Sequence, residues 1–231
     1  INIKRRIESL AELEETYWER MNRITKMGVY ITNIEMHFIF DSKNLKMGGL
    51  VVDVGANAGR FSLPAAEIMD VVAIDLDTCA LKRLRLKNRA VNIIVADARF
   101  IPLKNNVADN AIMIELLDCV LGSEAPISEC SRILKDGGVL FLSFGNRSSL
   151  KGKLKGLFGK PYLHSYKEIL CVLKAEKLKI IKKVGFNWLP FDRISDNPLV
   201  PLLAKGERIF GLRKLVRFSP WVIIQASKID E

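Results

Sequence analysis

Four acidic residues follow short apolar runs at nearly regular intervals in the first half of the chain. They are Asp53, Asp75, Asp97 and Glu115, and successive members are 22, 22 and 18 residues apart. A strand and the crossover that leads to the next parallel strand take up about this length, so each carboxylate is expected near the carboxyl end of a strand. Ligands of open α/β sheets bind at that edge. One such residue often only caps a helix, but four in phase predict a shared nucleoside-type site.

The segment Asp53–Gly59, of sequence DVGANAG, is expected to be the loop that leaves the first strand. Gly55 permits a sharp turn, Gly59 permits close approach of the next helix to a ligand, and Asn57 tolerates a positive φ better than most residues. The spacing differs from the G-x-G-x-x-G of dinucleotide sites, and no Gly-Lys-Ser/Thr follows as in a P-loop. Because the loop has no Lys or Arg, the carboxylates favour a ligand with ammonium, sulfonium and hydroxyl groups over a pyrophosphate.

Five continuous apolar runs must position these residues. Such runs, rich in β-branched residues, are typical of strands that are buried on both faces of a sheet. Helix-rich connections between them predict right-handed crossovers and a doubly wound α/β fold. The runs are Leu50–Val54, Val71–Ile74, Ile93–Ala96, Ala111–Ile114 and Val139–Leu142.

The flanking segments complete a single predicted domain, 1–231. Residues 1–48 form a helical leader or lid, 49–145 the ligand-binding core, and 146–231 a substrate-side part with a basic helical insertion. Within the last part, Ser165-Tyr-Lys-Glu168 matches a capping box before an apolar helix. The remaining expected elements are one or two helices in 7–38, a helix around Ile127–Leu134 with a turn at Lys135–Gly138, strands at Lys179–Val184 and Trp221–Ala226, and amphipathic stretches in Leu189–Phe218.

Four ordered motifs resemble those of class I S-adenosylmethionine-dependent methyltransferases, of the type-11-like small-molecule branch. Val51–Gly59 resembles their first motif, Ala73–Asp77 the second, and Val95–Leu103 the third. Ser131–Leu140 resembles the R-x-L-K-P-G-G stretch of that branch. The resemblance covers roughly residues 49–186 and implies a Rossmann-like seven-stranded sheet with helices on both faces and the last strand antiparallel.

The resemblance also implies S-adenosyl-L-methionine as the methyl donor, S-adenosyl-L-homocysteine as the product, and no metal. The glycine loop would border the methionine moiety, Asp75 would bind both ribose hydroxyls, Asp97 and the backbone of Ala98 would bind adenine, and Glu115 would lie near the methionine part. Position 119 is cysteine where many relatives carry a histidine, so no base is assumed there. The cofactor-binding residues expected on this basis are Asp53, Gly55, Ala56, Asn57, Gly59, Asp75, Leu76, Asp97, Ala98 and Glu115.

Methyl transfer from a sulfonium requires in-line alignment, and an oxygen acceptor also benefits from a general base. His164 precedes the capping box in a loop expected to face the cofactor, so it is the candidate base. For His164, as for His37 in the apolar leader, a packing or hydrogen-bonding role is the alternative. Tyr17, Trp18 and Tyr30 are candidates for a lid over the acceptor, with core packing as the alternative.

The net charge of +10 is unevenly distributed. Residues 1–150 contain 19 basic and 19 acidic residues, whereas residues 151–231 contain 17 and 7. This asymmetry indicates an anionic partner for the basic region Lys151–Arg217, or a solvated basic surface. Basic residues interleaved with Leu, Ile and Phe are typical of an amphipathic helix on a membrane or over an apolar substrate.

These features favour a small, lipid-like or anionic methyl acceptor. The alternative is an RNA methyltransferase that uses the same basic residues for phosphates, and a third class is a cofactor-binding protein without catalysis. No Asn/Asp-Pro-Pro-Tyr/Phe follows the fourth predicted strand, where the sequence is Ile114–Leu117, and this disfavours methylation of exocyclic base amines.

The four cysteines, Cys79, Cys119, Cys130 and Cys171, are widely spaced and form no CxxC pair. We therefore expect reduced core thiols in a cytoplasmic protein rather than a metal site or disulfides. No apolar run reaches the roughly 18–20 residues that cross a bilayer, so a soluble protein is expected. The sequence does not determine the oligomeric state.

Overall fold

The computed structural model describes residues 15–159 and 162–229. Its centre is a seven-stranded sheet. The strands are β1 Leu50–Val54, β2 Asp70–Asp75, β3 Asn92–Val95, β4 Ala108–Met113, β5 Leu134–Gly145, β6 Leu178–Phe186 and β7 Trp221–Lys228. Their order in the sheet is β3-β2-β1-β4-β5-β7-β6. Strand β7 is antiparallel to β5 and β6, and the other pairs are parallel. The predicted fold class is therefore confirmed.

Eight helices accompany the sheet in the described parts of the chain. They are α1 Tyr17–Ile24, α2 Lys26–Phe40, α3 Ser62–Ala65, α4 Thr78–Lys87, α5 Glu124–Ile133, α6 Leu150–Leu157, α7 Tyr166–Ala175 and α8 Val200–Ile209, with 3-10 turns at Leu117–Cys119, Leu212–Lys214 and Val216–Phe218. No helix among the described residues is both long and apolar enough to cross a membrane.

The core consists of two clusters of buried side chains, one on each face of the sheet, and successive residues of a strand contribute to the two clusters in turn. Leu140 and Ile224 belong to the cluster that includes α5 and α7. Phe141 and Ile223, their neighbours along the chain, belong to the cluster that includes α2, α4 and α8. Because successive side chains of a strand point to opposite faces, the apolar runs recognised in the sequence bury side chains against both helical layers.

The leader folds as two helices that meet at a corner, as expected from its apolar spacing. Thr16 caps α1 and Thr25 caps α2, each through its side-chain oxygen. A Cβ on Gly28 would overlap the carbonyl oxygen of Met21, so only glycine permits the close approach of the two helices at this corner. The part of the predicted leader helices in residues 7–14 lies outside the described residues.

Local signals had different outcomes. The predicted capping box is present, since Ser165 and Glu168 each bind the other's backbone amide. The turn expected at Lys135–Gly138 is instead a bulge inside β5, where the pairing Ala108–Leu134 is followed directly by Asn110–Val139. The expectation of core thiols is wrong for three of the four cysteines. Only Cys130 is buried, because apolar neighbours in the sequence do not determine whether a residue in a helix or turn faces the core.

Candidate functional site

The four in-phase carboxylates meet at the carboxyl edge of the sheet. Asp53 is the penultimate residue of β1 and Asp75 the last of β2, while Asp97 and Glu115 follow β3 and β4 by two residues each. The strands are in parallel register here, with Asp53 opposite both Ala73 and Ile112. This edge is where the fold presents ligand-binding groups.

The glycine loop takes the conformation that its composition predicts. Gly55, Asn57 and Gly59 all have positive φ, of 81°, 46° and 89°. The amides of Gly55 and Ala56 donate to the carbonyl of Ile74 at 2.8 and 3.0 Å, which ties the loop to the end of β2. A Cβ on Gly59 would overlap the side chain of Leu84, so this glycine lets the loop lie directly against α4.

Asp75 is held beside that loop by backbone amides. One carboxylate oxygen accepts from the amide of Asn57 at 2.7 Å, and the other accepts from the amide of Asp77 at 2.9 Å. A carboxylate has about four acceptor positions, so two remain for ligand hydroxyls. Leu76, the next residue, leaves 65% of its surface exposed at the same edge.

Asp97 is bound by Arg99, a residue of the third motif that was not among the predicted site residues. The Arg99 guanidinium contacts both carboxylate oxygens, with Nη2 at 2.6 Å from Oδ2, and its amide donates to Oδ1 at 2.9 Å. These bonds lower the pKa of Asp97, so the carboxylate stays ionised. Ala98 is buried, whereas Phe100 is 74% exposed. An adenine amino group would share Asp97 with Arg99.

Asp53 lies beneath the loop. Only 2% of its surface is exposed, and one carboxylate oxygen accepts from the Ser62 hydroxyl at 2.5 Å. Burial raises the pKa of Asp53 to about 6, although the bond from Ser62 and the charge of Arg60 act in the opposite direction. Its observed contact therefore supports the start of α3.

A network of four charged residues lies between the leader, the glycine loop and the end of β4. Arg60 contacts Glu35 at 3.1 Å and Glu115 at 3.2 Å, and Arg193 also pairs with Glu115. Glu35 is fully buried on α2, and burial raises its pKa against the opposing charges of Arg60 and Arg193. The Ser143 hydroxyl donates to Glu35 at 3.3 Å and accepts from the Glu115 amide at 3.0 Å.

Glu35, Arg60 and Arg193 were not predicted from the sequence as site residues. Burial lowers the pKa of Arg193 to about 10, and its guanidinium also donates to Asn22 at 2.7 Å. A usable signal existed for Glu35, which is a lone carboxylate in the otherwise largely apolar Ile34–Phe40. Arg60 directly follows the glycine loop, whereas nothing in the local sequence marks Arg193.

Helix α1 lies over the glycine loop. The Thr16 hydroxyl is 2.8 Å from the Asn57 side-chain oxygen. Glu19 pairs with Lys87 at 2.7 Å and with Arg83 at 2.8 Å, both on α4, and these contacts lower its pKa although burial acts the other way. The leader is thus attached to the glycine loop and to α4.

The three aromatic lid candidates occupy different places. Tyr17 and Trp18 are on α1 and remain about half exposed, and Trp18 stacks on the Arg193 guanidinium at 5.4 Å. Tyr30 is buried, and its hydroxyl donates to Glu207 on α8 at 2.6 Å. Tyr30 also lines a cavity of about 650 Å³ between α2, β6 and α8.

His164 is buried at the same edge of the sheet. Its Nε2 lies 2.9 Å from the carbonyl oxygen of Leu117, and a carbonyl can only accept, so Nε2 carries the proton and Nδ1 is the basic nitrogen of the neutral ring. The ring lines a cavity of about 380 Å³ together with Arg147 and Glu168. His37, by contrast, is exposed on α2 and pairs with Asp41 at 3.0 Å.

Asp118 lies one residue beyond the Leu117 carbonyl that binds His164. One of its oxygens accepts from the Gly145 amide at 2.9 Å, and burial raises its pKa. In the described part of the chain, no group of three or more His, Cys, Asp or Glu side chains is arranged to hold a metal ion.

Comparison with known proteins agrees with this geometry. Residues 52–142 match the family described as "Methyltransferase domain". An uncharacterized protein of Methanocaldococcus jannaschii is 28% identical over 162 residues, which cover 65% of this chain and 61% of the relative. A ubiquinone biosynthesis O-methyltransferase of Cupriavidus pinatubonensis is 25% identical over 218 residues, which cover 84% and 81%.

Among solved structures, one from Thermotoga maritima described as a SAM-dependent methyltransferase and possible histamine N-methyltransferase superposes with a TM-score of 0.62, at 18% identity, over 97% of each chain. At this identity the likeness shows the fold alone. The match over residues 52–142 confirms the resemblance drawn from the motifs. The alignment with the Methanocaldococcus relative spans less than two thirds of that relative's length.

Proposed function

We propose that this chain, whose residues 52–142 match the family described as "Methyltransferase domain", transfers the methyl group of S-adenosyl-L-methionine to a small, lipid-like or anionic acceptor. The observation that carries the proposal is the meeting of the positive-φ glycine loop with Asp75, Asp97 and Glu115 at one sheet edge. The carboxylates at this edge can accept hydrogen bonds from hydroxyl, amino and ammonium groups. The loop Asp53–Gly59 beside them has no Lys or Arg that would bind a phosphate.

The residues present fit this cofactor. Asp75 keeps two acceptor positions for ribose hydroxyls, and Asp97 is ionised beside exposed apolar side chains suited to an adenine ring. Glu115 is neutralised by Arg60 and Arg193, so that corner offers both charge signs, as an amino acid moiety requires.

When bound, the cofactor supplies an electrophilic methyl group on a sulfonium. The protein's part is to fix the acceptor in line with the carbon–sulfur bond, which needs rigid walls more than acid–base groups. S-adenosyl-L-homocysteine would be the product left after the methyl group had moved to the acceptor. For a hydroxyl acceptor, Nδ1 of His164 is the proposed proton acceptor, because Nε2 is committed to Leu117. A thiolate or neutral amine needs no such base.

Several features support a lipid-like or anionic acceptor. The half-exposed Tyr17 and Trp18 on α1 give apolar surface beside the glycine loop, and Trp18 stacks on Arg193. The Cupriavidus relative is named for ubiquinone biosynthesis, and a quinone precursor is lipid-like. We also propose a cytoplasmic location, which the free thiols of the four cysteines, all within the described residues, support.

Calorimetry with S-adenosyl-L-homocysteine tests the cofactor site. Asp75→Ala should weaken binding by at least tenfold, since two hydrogen bonds to a charged group contribute roughly 1.5–3 kcal/mol each. The matched control is Asp70→Ala at the opposite, exposed end of the same strand, which should bind as wild type. A loss of less than a few-fold for Asp75→Ala would contradict the ribose assignment.

Incubation of a cell extract with radioactive S-adenosyl-L-methionine tests the acceptor. The proposal expects label in the organic-soluble, small-molecule fraction, and less of it with Asp75→Ala. Label in RNA would favour the nucleic-acid alternative, and binding without any labelled product would favour a non-catalytic role.

A further inference from the structure

Two segments on the carboxyl-terminal side carry an unusual share of exposed apolar residues. They are residues 150–158, comprising α6 and the residue after it, and residues 199–218, comprising α8 and the two following 3-10 turns. We call them together the basic apolar surface. Their eleven large apolar side chains that are at least 38% exposed are Leu150, Leu154, Leu157, Phe158, Leu199, Leu202, Leu203, Ile209, Phe210, Leu215 and Phe218.

The charges of the same segments are almost all positive. Five basic side chains are exposed, namely Lys153, Lys205, Arg208, Lys214 and Arg217, and none of them has an ion-pair partner among the described residues. Only one acidic residue occurs in either segment, Glu207, and it is 2% exposed. Glu207 is bound by Tyr30 and Arg213 inside the domain, so its negative charge does not offset the exposed cations at the surface.

Contacts within the domain hold the two segments in place. Lys151 of α6 donates to Asn187 and to the carbonyls of Leu189 and Phe191, in the connection that leads to α8. Asn146 lies four residues before Leu150, the first residue of α6. Its side chain donates to the carbonyl of Arg217, in the last 3-10 turn, at 2.9 Å. The start of α6 and the last 3-10 turn therefore adjoin through Asn146, and the exposed side chains are carried on ordered backbone.

The physical chemistry of this surface matches an anionic lipid bilayer. Monomeric soluble proteins seldom expose large apolar areas, and those that do usually bind something there. Helices that lie in the membrane interface combine Leu and Phe with Lys and Arg and have few acids. Each Lys or Arg near an anionic leaflet adds to the attraction. A nucleic-acid surface needs the cations but gains little from eleven exposed apolar side chains, most of them aliphatic.

We propose that the basic apolar surface docks the protein on anionic membranes. The apolar side chains enter the interface, and the five cations contact lipid phosphates. This inference stands apart from the proposed methyl transfer, because docking requires neither cofactor nor turnover. If both hold, docking brings the methyltransferase to a bilayer, where a lipid-like acceptor resides.

Vesicle co-sedimentation without cofactor tests the docking. Wild type should bind vesicles of phosphatidylcholine with about one third phosphatidylglycerol, and binding should fall with added salt. Phe158→Ser with Phe210→Ser, and separately Lys205→Gln with Arg208→Gln, should each weaken binding by at least about tenfold. All four side chains are exposed, so the variants should keep the wild-type circular dichroism spectrum and Tm.

Matched controls lie elsewhere on the surface. Met47→Ser alters a side chain that is 61% exposed and lies three residues before the amino end of β1. Lys43→Gln with Lys82→Gln removes two exposed cations. Both should bind vesicles as wild type. Equal binding by all variants, or no binding by wild type, would overturn the proposal. So would a dimer in gel filtration that Phe158→Ser with Phe210→Ser dissociates, or tighter salt-sensitive binding to single-stranded RNA than to the vesicles.

Discussion

Replacing Arg60 by methionine removes a positive charge that contacts the fully buried Glu35 at 3.1 Å. Breaking a buried ion pair by deleting one partner typically costs about 3–5 kcal/mol, because the remaining charge is left uncompensated. The Arg60 side chain keeps 18% exposure, and Arg193 also acts on Glu35. We therefore expect a loss of about 3 kcal/mol in the free energy of unfolding at pH 8, the lower end of that range.

The loss should depend on pH. Burial raises the pKa of Glu35 above its unfolded value, so the folded state favours the protonated form, and this contribution to stability is lost as the pH rises through the folded pKa. Without Arg60 the pKa rises further. Urea unfolding at about pH 5.5 and pH 8, followed by circular dichroism, should show a smaller loss at the lower pH. Adding Glu35→Gln to Arg60→Met should restore most of the pH-dependent part.

Arg23→Met is the matched control, because Arg23 pairs with Glu15 in solvent and its side chain is 65% exposed. Its stability should equal that of wild type at both pH values. An equal loss for Arg60→Met at both pH values, or no recovery in the double variant, would refute the argument that Arg60 stabilises the fold by neutralising Glu35.

Three further changes test other parts of the molecule. The pKa of Asp53 is raised to about 6, so wild-type stability should fall by at most about 3 kcal/mol as the pH rises from about 4 through 6, and Asp53→Asn should remove that fall in urea unfolding. Glu19→Gln loosens α1 from α4 and should speed hydrogen exchange in α1 several-fold, for a contact of about 1 kcal/mol; unchanged exchange would argue against a clamp. Gly59→Ala should lower Tm more than Gly137→Ala. Both glycines have positive φ, but only the Cβ added at position 59 overlaps Leu84. Equal losses in Tm would mean that backbone strain alone, and not the overlap with Leu84, destabilises the Gly59→Ala variant.

Much of the fold was predictable because its signals are local. The run Leu50–Val54 coincides with β1, and the capping box begins α7 where Ser165 indicates. The interval between carboxylates reflects the length of one strand–helix unit, so it located the sheet edge without any tertiary information. The bulge at Lys135–Gly138 was misjudged, because the glycines indicate a reversal whether the strand ends or only buckles.

The sequence by itself determined the glycine loop, the in-phase carboxylates and the family resemblance, since each depends on residues near one another in the chain. Only the tertiary structure placed Glu35 of the leader within reach of Ser143, 108 residues away, and Arg193 against Glu115. It also decided that Glu207 is buried while the cations around it are exposed. Such contacts join different elements, so they leave no periodicity or spacing in the sequence, and the burial that sets their energetics exists only after the chain has folded.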